Sequence, residues 1–362
     1  MTPLKIAMIS YRLPMRGEKR GGIERVAHVL ADGLAKRGHA VVVFSHDPKP
    51  AGAAYDVRML PWKPFVETWA GLRMTAGYLG NVLALRIDLR EFDVVIAHGD
   101  SLLLSMGRTP VVRVMHGSAK GEALHAASIG RAILQWGVYV QELLTAFVSP
   151  STVVGVSANT QRDNPFVRHI IPHGVDTAVF QPIPIGKSAH PTIVFVGAAE
   201  GRKRGRFLLE LFEREVRRVH PDAELTFVGP RGPSQAGVNY VTGVSDVDLA
   251  ALYRRAWVCA APSTYEGFGL PYLEAMACGT ALIATPNSGS REVLGERYNG
   301  LVTDAEFAPA VLNVLADEHR RRSLEVAGIE RAAAFSINRT IDQYEALLHG
   351  LRGMHARSVA SV

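Results

Sequence analysis

The chain has 362 residues, 48% hydrophobic and 20% charged, with a formal net charge of +6. That length exceeds what one hydrophobic core usually serves, so two domains are expected, and the composition excludes disordered and fibrous chains. Cys259 and Cys278 both lie in apolar surroundings, which argues against a disulfide framework and for a reducing, cytoplasmic compartment.

The N-terminal MTPLKIAMIS has too short an apolar run for a signal peptide. The run LKIAMIS (4–10) predicts a strand, and a loop rich in Pro, Gly and charge follows it. After Gly21 and Gly22, the residues Ile23, Val26, Ala27, Leu30 and Leu34 recur at helical spacing. Gly38 stops that helix, and AVVVFS (40–45) is the next buried strand. This is a βαβ unit, the building block of a parallel sheet. Further strands are expected at 93–99, 111–117 and 152–157. The apolar stretches 64–85 and 131–148 are broken by Glu67, Arg73, Gln135, Gln141 and Glu142, so neither reads as a membrane span.

Three prolines in VDTAVFQPIPIGKSAHP (175–191) mark a linker, and the pattern then restarts. A strand at 192–197 is followed by a basic glycine loop and a helix near 206–219. Strands at 224–229, 258–263 and 281–286 alternate with helices near 246–256 and 270–278. Helices near 306–317, 319–334 and 337–352 follow, and the tail HARSVASV is expected to be disordered. The expected fold is therefore α/β, with two parallel-sheet domains over 1–180 and 181–336. Ligands in such sheets bind beyond the carboxyl ends of the strands. Two such domains facing each other would form a cleft lined by both glycine loops.

Basic residues cluster at 16–22, 201–206 and 319–322, and the isoelectric point is near 9.4. Nucleic acid, an anionic membrane surface and a phosphorylated small ligand are the three partners this suggests. No zinc-finger spacing, basic heptad or RNP-like motif accompanies the clusters, which disfavours nucleic acid. Gly21 and Gly22 open a helix, where a phosphate could meet free N–H groups, or they form an ordinary tight turn. They are not part of a G-x-G-x-x-G pattern, which disfavours a nicotinamide dinucleotide. In VGAAEGRKRG (196–205), Arg202, Lys203 and Arg204 would hold a diphosphate or form a solvated loop. His98 and His116 end two strands, facing a ligand or serving as structural histidines. Asp246-Val247-Asp248 has the D-x-D form of metal-dependent sugar transferases, but SDVDLAALYRRA reads better as a capped helix start.

The stretch STYEGFGLPYLEAMACG (263–279) predicts strand, turn and helix, with Pro271 in the first helical turn. Glu266 precedes the helix and Glu274 lies roughly one turn into it, so the two need not share a partner. A carboxylate accepts from paired hydroxyls, and a sugar nucleotide carries vicinal diols on both its sugar and its ribose.

The segment PSTYEGFGLPYLEAMACGTALIAT resembles the signature of the retaining GT-B glycosyltransferases of family 4, glycosyl transferases group 1. GGIERVAHVLADGLAKRGHAVVVFS, GVSDVDLAALYRRAWVCAAPS and IPHGVDTAVFQP resemble other parts of that family. In the last of these, His173 stands where Asn is usual. The resemblance implies a GT-B fold of two Rossmann-like domains, an N-terminal one for the acceptor and a C-terminal one for the donor. It also implies that the last helix, about 337–352, packs back on the first domain. Glu266 would contact donor sugar hydroxyls, and Glu274 the ribose hydroxyls. The backbone of Gly267, Phe268, Gly269 and Leu270 would line sugar and diphosphate. His116 would stand at the reacting sugar and Gly22, next to Gly21, near the diphosphate. Where the family commonly has Arg after the strand glycine this chain has Ala198. Lys203 would be the phosphate lysine, with Arg202 or Arg204 replacing the missing Arg.

The implied reaction moves a sugar from a nucleotide-sugar donor to the hydroxyl of a sugar, a lipid-linked or a small-molecule acceptor, with retention. His116, Lys203 and Glu266 would be its catalytic residues, with no metal and no cofactor beyond the donor. A lipid acceptor would place the protein peripherally on the inner face of the membrane. An enzyme acting on the donor without a saccharide acceptor, or a non-catalytic binder of sugar nucleotides, is the alternative.

Overall fold

KIAMI forms β1 (Lys5–Ile9) and AVVVFS forms β2 (Ala40–Ser45). The helix Gly22–Lys36 lies between them and buries Ala27, Leu30, Ala31 and Leu34. The chain then adds β3 (Asp56–Met59), β4 (Val94–His98), β5 (Val111–Met115), β6 (Thr152–Gly155) and β7 (His169–Ile170). All pairings are parallel, in the order β3-β2-β1-β4-β5-β6-β7. Every residue of β4 and β5 is buried, as continuous apolar runs covered on both faces should be. Ala7, Ile9, Val42, Phe44, Val95 and Ala97 belong to one core cluster with Phe92 and Val111. The computed structural model describes residues 2–15, 22–60, 87–99, 104, 107–126, 128–184 and 186–360.

The second sheet is built from β8 (Thr192–Val196), β9 (Glu224–Val228), β10 (Val238–Val241), β11 (Val258–Ala261) and β12 (Ala281–Ala284). It too is parallel, in the order β10-β9-β8-β11-β12. The chain divides into two units. One comprises Met1–Ala119, Trp136–Pro172 and Asn338–Val362, and the other Lys120–Gln135 and His173–Ile337. These are two Rossmann-like parallel-sheet domains.

Within each sheet the strand order reverses once, between β1 and β4 in the first and between β8 and β11 in the second. Loops leaving such a pair diverge to opposite faces, which opens a crevice at the carboxyl ends. In the second sheet, the β8 loop carries Arg202, Lys203 and Arg204, and the β11 loop carries Glu266.

Two expectations need correction. The stretch 175–191 is not a loose linker, because it is tied to the second unit. Lys187 Nζ donates to the carbonyls of Ala256 (2.9 Å) and Gly279 (2.8 Å), and Trp257 Nε1 donates to Ser188 O at 2.8 Å. The tail is helical rather than disordered over 355–360, since the last helix runs Ile337–Ala360. No Gly or Pro interrupts 354–360, so nothing in the local chemistry stops the helix.

That last helix is held to the first unit by Arg37, which contacts Asp342 at 2.6 Å and Glu345 at 2.8 Å. Thr340 Oγ1 donates to Pro172 O at 2.9 Å. Ile341 packs so closely on Gly33 that a Cβ there would stand 2.2 Å from Ile341 Cδ1.

Candidate functional site

Gly201, at φ +76°, opens a short 3-10 turn over Gly201–Lys203. Arg204 follows at φ 54°, ψ 37°, the left-handed region that non-glycine residues seldom occupy. This reversal separates the three cations. Arg202 Nη1 lies 2.8 Å from Glu266 Oε2, and Lys203 Nζ forms an ion pair with Glu266 Oε1. Arg204 turns elsewhere. It pairs with Asp304 at 2.7 Å and lies over the Phe207 ring, 4.4 Å from its centroid.

Glu266 is 5% exposed. Burial alone would raise its pKa, but Lys203 and then Arg202 hold the carboxyl below its ordinary value. A charged cluster buried at the strand-switch end of a parallel sheet suits ligand binding better than stability, because desolvation consumes most of the Coulomb gain.

The turn after Glu266 is rigidly braced. Ser288 Oγ donates to Glu266 O at 2.9 Å. A Cβ on Gly289 would stand 2.5 Å from Phe268 O and 2.7 Å from Glu266 Cβ. Asn287 Nδ2 donates to Ser263 O at 2.8 Å and approaches Tyr272 Oη at 3.1 Å. Gly269 adopts φ +109° as the cap of the helix Leu270–Ala277, with Pro271 in its first turn. Phe268 is buried and packs edge-on against His173, with centroids 5.4 Å apart. Gly267 and Leu270 complete this turn. Glu274 is 1% exposed, inside the helix, with Tyr253 Oη at 3.4 Å from its Oε2. The two carboxylates therefore sit in different surroundings, one among cations and one beside a phenol.

Three contacts here had no signal in the sequence. Glu122 Oε1 lies 3.3 Å from Arg202 Nε, His125 stacks on Tyr265 with centroids 5.3 Å apart, and Gly121 leaves no room for a Cβ beside the Tyr265 ring. Glu122 belongs to the short helix Ala119–Leu124, some eighty residues before its partner, where no local pattern can announce it.

In the first unit, His98 ends β4 and His116 directly follows β5. His98 Nδ1 and His116 Nε2 are 2.9 Å apart, and the rings stack with centroids 5.0 Å apart. Burial pushes His116 down to about 4. Burial and then the neighbouring His116 hold His98 well below its ordinary value. Both imidazoles are neutral at pH 7, one donating and one accepting. Gly22 is the first residue of its helix, whereas Gly21 lies outside the described residues.

Asp246 and Asp248 stand at a helix start. Ser245 is the N-cap of Asp246–Arg255, accepting from Asp248 N at 3.2 Å, and its hydroxyl lies 2.6 Å from Asp248 Oδ2. Among the described residues, His39, Glu345 and His349 bring ligand atoms within 4.8 Å of one another. His39 Nδ1 accepts from Leu4 N at 3.1 Å, so its proton sits on Nε2, which faces Glu345 at 3.1 Å. That histidine is a hydrogen-bond donor to the carboxylate and offers no lone pair to a metal.

Family models match most of the chain. Residues 20–179 match Glycosyltransferase Family 4, and residues 190–317 match Glycosyl transferases group 1. The chain belongs to this glycosyltransferase family. It is 29% identical to the MMP alpha-(1->4)-mannosyltransferase of Mycolicibacterium hassiacum, over 92% of this chain and 97% of that protein. It is 26% identical to a glycogen synthase of Mycobacterium tuberculosis, over 94% and 91%. Its fold matches sucrose-phosphate synthase from Thermosynechococcus elongatus with a TM-score of 0.74, at 22% identity, over 97% of this chain and 100% of that one. Anabaena HepE in complex with UDP and glucose aligns with a TM-score of 0.71 at 16% identity, over 96% and 100%. The architecture is GT-B, and the protein is an enzyme of the glycosyltransferase class.

Proposed function

We propose that this glycosyltransferase moves a sugar from a nucleotide-sugar donor to an acceptor hydroxyl, with retention of anomeric configuration and without a metal ion. The observation that carries this reading is the convergence of Lys203 and Arg202 on Glu266 beside the turn Gly267–Leu270. Two cations suit a diphosphate, and a carboxylate suits paired sugar hydroxyls. On donor binding, the diphosphate replaces Glu266 as partner of the two cations. Glu266 is then free to accept from the sugar. The backbone of Gly267, Phe268, Gly269 and Leu270 lines sugar and diphosphate, Glu274 takes the ribose hydroxyls, and Gly22 faces the phosphates. Relatives named as mannosyltransferases and a neighbour solved with UDP and glucose support a hexose carried on a nucleoside diphosphate.

In the transfer, the bond between the anomeric carbon and the phosphate oxygen breaks. A bond to the acceptor oxygen forms on the same face, and the acceptor proton passes to the departing phosphate. Lys203 and Arg202 stabilise the charge that grows on that phosphate. Neutral His116 hydrogen-bonds the reacting sugar. The acceptor is the hydroxyl of a sugar, a lipid-linked or a small molecule. No cofactor beyond the donor and no nucleic acid takes part. A reducing, cytoplasmic setting accords with Cys259 and Cys278, which are buried and unpaired, and a lipid acceptor would add peripheral membrane contact.

A panel of nucleotide sugars tested for thermal stabilisation identifies the donor, since a ligand that binds only the folded state raises its stability. Product NMR with and without chelator then tests the chemistry. The donor's anomeric configuration should persist, and chelator should leave the rate largely intact. An inverted product or strict dependence on Mg²⁺ would contradict the reading. Nucleotide release that is equally fast without acceptor would identify an enzyme acting on the donor alone.

A further inference from the structure

A buried histidine that only supports a fold has both ring nitrogens occupied. His39 follows that rule, since its Nδ1 accepts from Leu4 N and its Nε2 faces Glu345. His98 does not. It is 6% exposed at the carboxyl end of β4, a strand whose every residue is buried. Its Nδ1 is taken by His116 Nε2 at 2.9 Å, but its Nε2 has no hydrogen-bond partner among the described residues. Leaving a buried polar atom unpaired costs stability, so the open nitrogen calls for a ligand. Its place in the sheet gives that ligand a way in. β4 lies beside β1, where the strand order of the first sheet reverses. The backbone turns at Gly99, which is exposed at φ +117°, and a Cβ there would meet nothing within 4 Å. The buried ring therefore sits one residue from open space, at the crevice end of its own unit's sheet.

We propose that His98, through Nε2, binds a hydroxyl of the acceptor. The pairing with His116 selects that chemistry. If His116 donates within the pair, His98 Nε2 carries a proton and must donate. If His98 donates from Nδ1, its Nε2 holds a lone pair and must accept. A hydroxyl satisfies either tautomer, whereas a carboxylate or phosphate satisfies only the first and an ammonium only the second. Burial and then His116 keep the ring uncharged at neutral pH, so it has no charge with which to hold an anion. The inference rests on the reading of sugar transfer to an acceptor hydroxyl, and it adds a residue that receives the acceptor.

Two amide variants separate the nitrogens. The amide of Asn falls near the position of Nδ1, so His98→Asn keeps a partner for His116 and loses the open nitrogen. The amide of Gln reaches the position of Nε2, so His98→Gln does the reverse. The full chain is assayed with the donor found by thermal stabilisation, and with methyl α-mannopyranoside and methyl α-glucopyranoside as acceptor probes. His98→Asn should raise the acceptor KM about tenfold, the worth of one hydrogen bond, while the donor KM holds. His98→Gln should keep the acceptor KM near the wild-type value. Nucleoside diphosphate should raise the thermal midpoint of both variants as it does that of the wild type, showing that each folds and keeps its donor site. An unchanged acceptor KM in His98→Asn would overturn the inference. So would the opposite order, with Gln damaging and Asn silent, which would make His98 a prop for His116 alone. Failure of the wild-type chain to transfer to either glycoside would overturn the acceptor reading itself, and the inference with it.

Discussion

The guanidinium of Arg202 stands 2.8 Å from the carboxylate of Glu266. The same carboxylate holds Lys203, so one acid occupies both cations before any ligand arrives. Glu122 adds a second acid, 3.3 Å from Arg202 Nε. The cations are thus pre-positioned and partly neutralised, which limits the affinity of the empty site for stray anions and keeps its geometry fixed.

Lys203→Ala should therefore lower kcat by about a hundredfold or more, because the lost charge matters most as the leaving group develops. Arg204→Ala should change kcat little, since Arg204 pairs with Asp304 and stacks on Phe207. Steady-state kinetics on both variants make the comparison. A damaging Arg204→Ala beside a silent Lys203→Ala would move the phosphate role by one residue.

Glu122→Gln removes a negative charge from the edge of the same cluster. Nucleoside diphosphate should bind about two- to fivefold more tightly at low salt, an advantage that fades as salt screens the site. Calorimetry at two ionic strengths reads this directly. Unchanged or weaker binding at low salt would mean that Glu122 does not temper Arg202.

The histidine pair predicts an acid-side loss of stability. His116 titrates near 4 when folded, against 6.5 ordinarily, because of burial. Between those values the unfolded chain binds more protons than the folded one, so stability falls as pH drops from 6.5 towards 4. His98 acts in the same sense. Denaturant midpoints across that window should decline, and the decline should shrink when both residues are replaced by Asn. A flat wild-type profile would contradict the neutral pair.

Much of the fold is legible in the sequence where strands are buried on both faces. VVIAH, VVRVM and ALIA stand out because every residue of each is enclosed. The edge strands DVRM and VNYV carry exposed residues and no apolar run, so periodicity passes over them. At the site, Glu266, Lys203 and Arg202 were marked by local pattern. The choice between Arg202 and Arg204 as the second cation on Glu266 is settled only by the left-handed turn at Arg204. His173, placed against Phe268, and Glu122, placed against Arg202, are contacts between distant stretches that no local pattern contains.

The central claim is that two carboxylates divide one donor between them, and a pair of conservative variants tests it most directly. Glu274→Gln should weaken binding of donor and of bare nucleoside diphosphate alike, because both contain the ribose. A hydrogen bond to a charged group is worth about 1.5–3 kcal/mol, so affinity should fall about ten- to a hundredfold. Glu266→Gln should leave nucleoside diphosphate binding nearly unchanged, since that ligand has no sugar to hold, while turnover falls. Calorimetry with nucleoside diphosphate on both variants is the deciding measurement. Loss confined to Glu274→Gln is the predicted result, and equal loss in both variants would contradict the division of the donor.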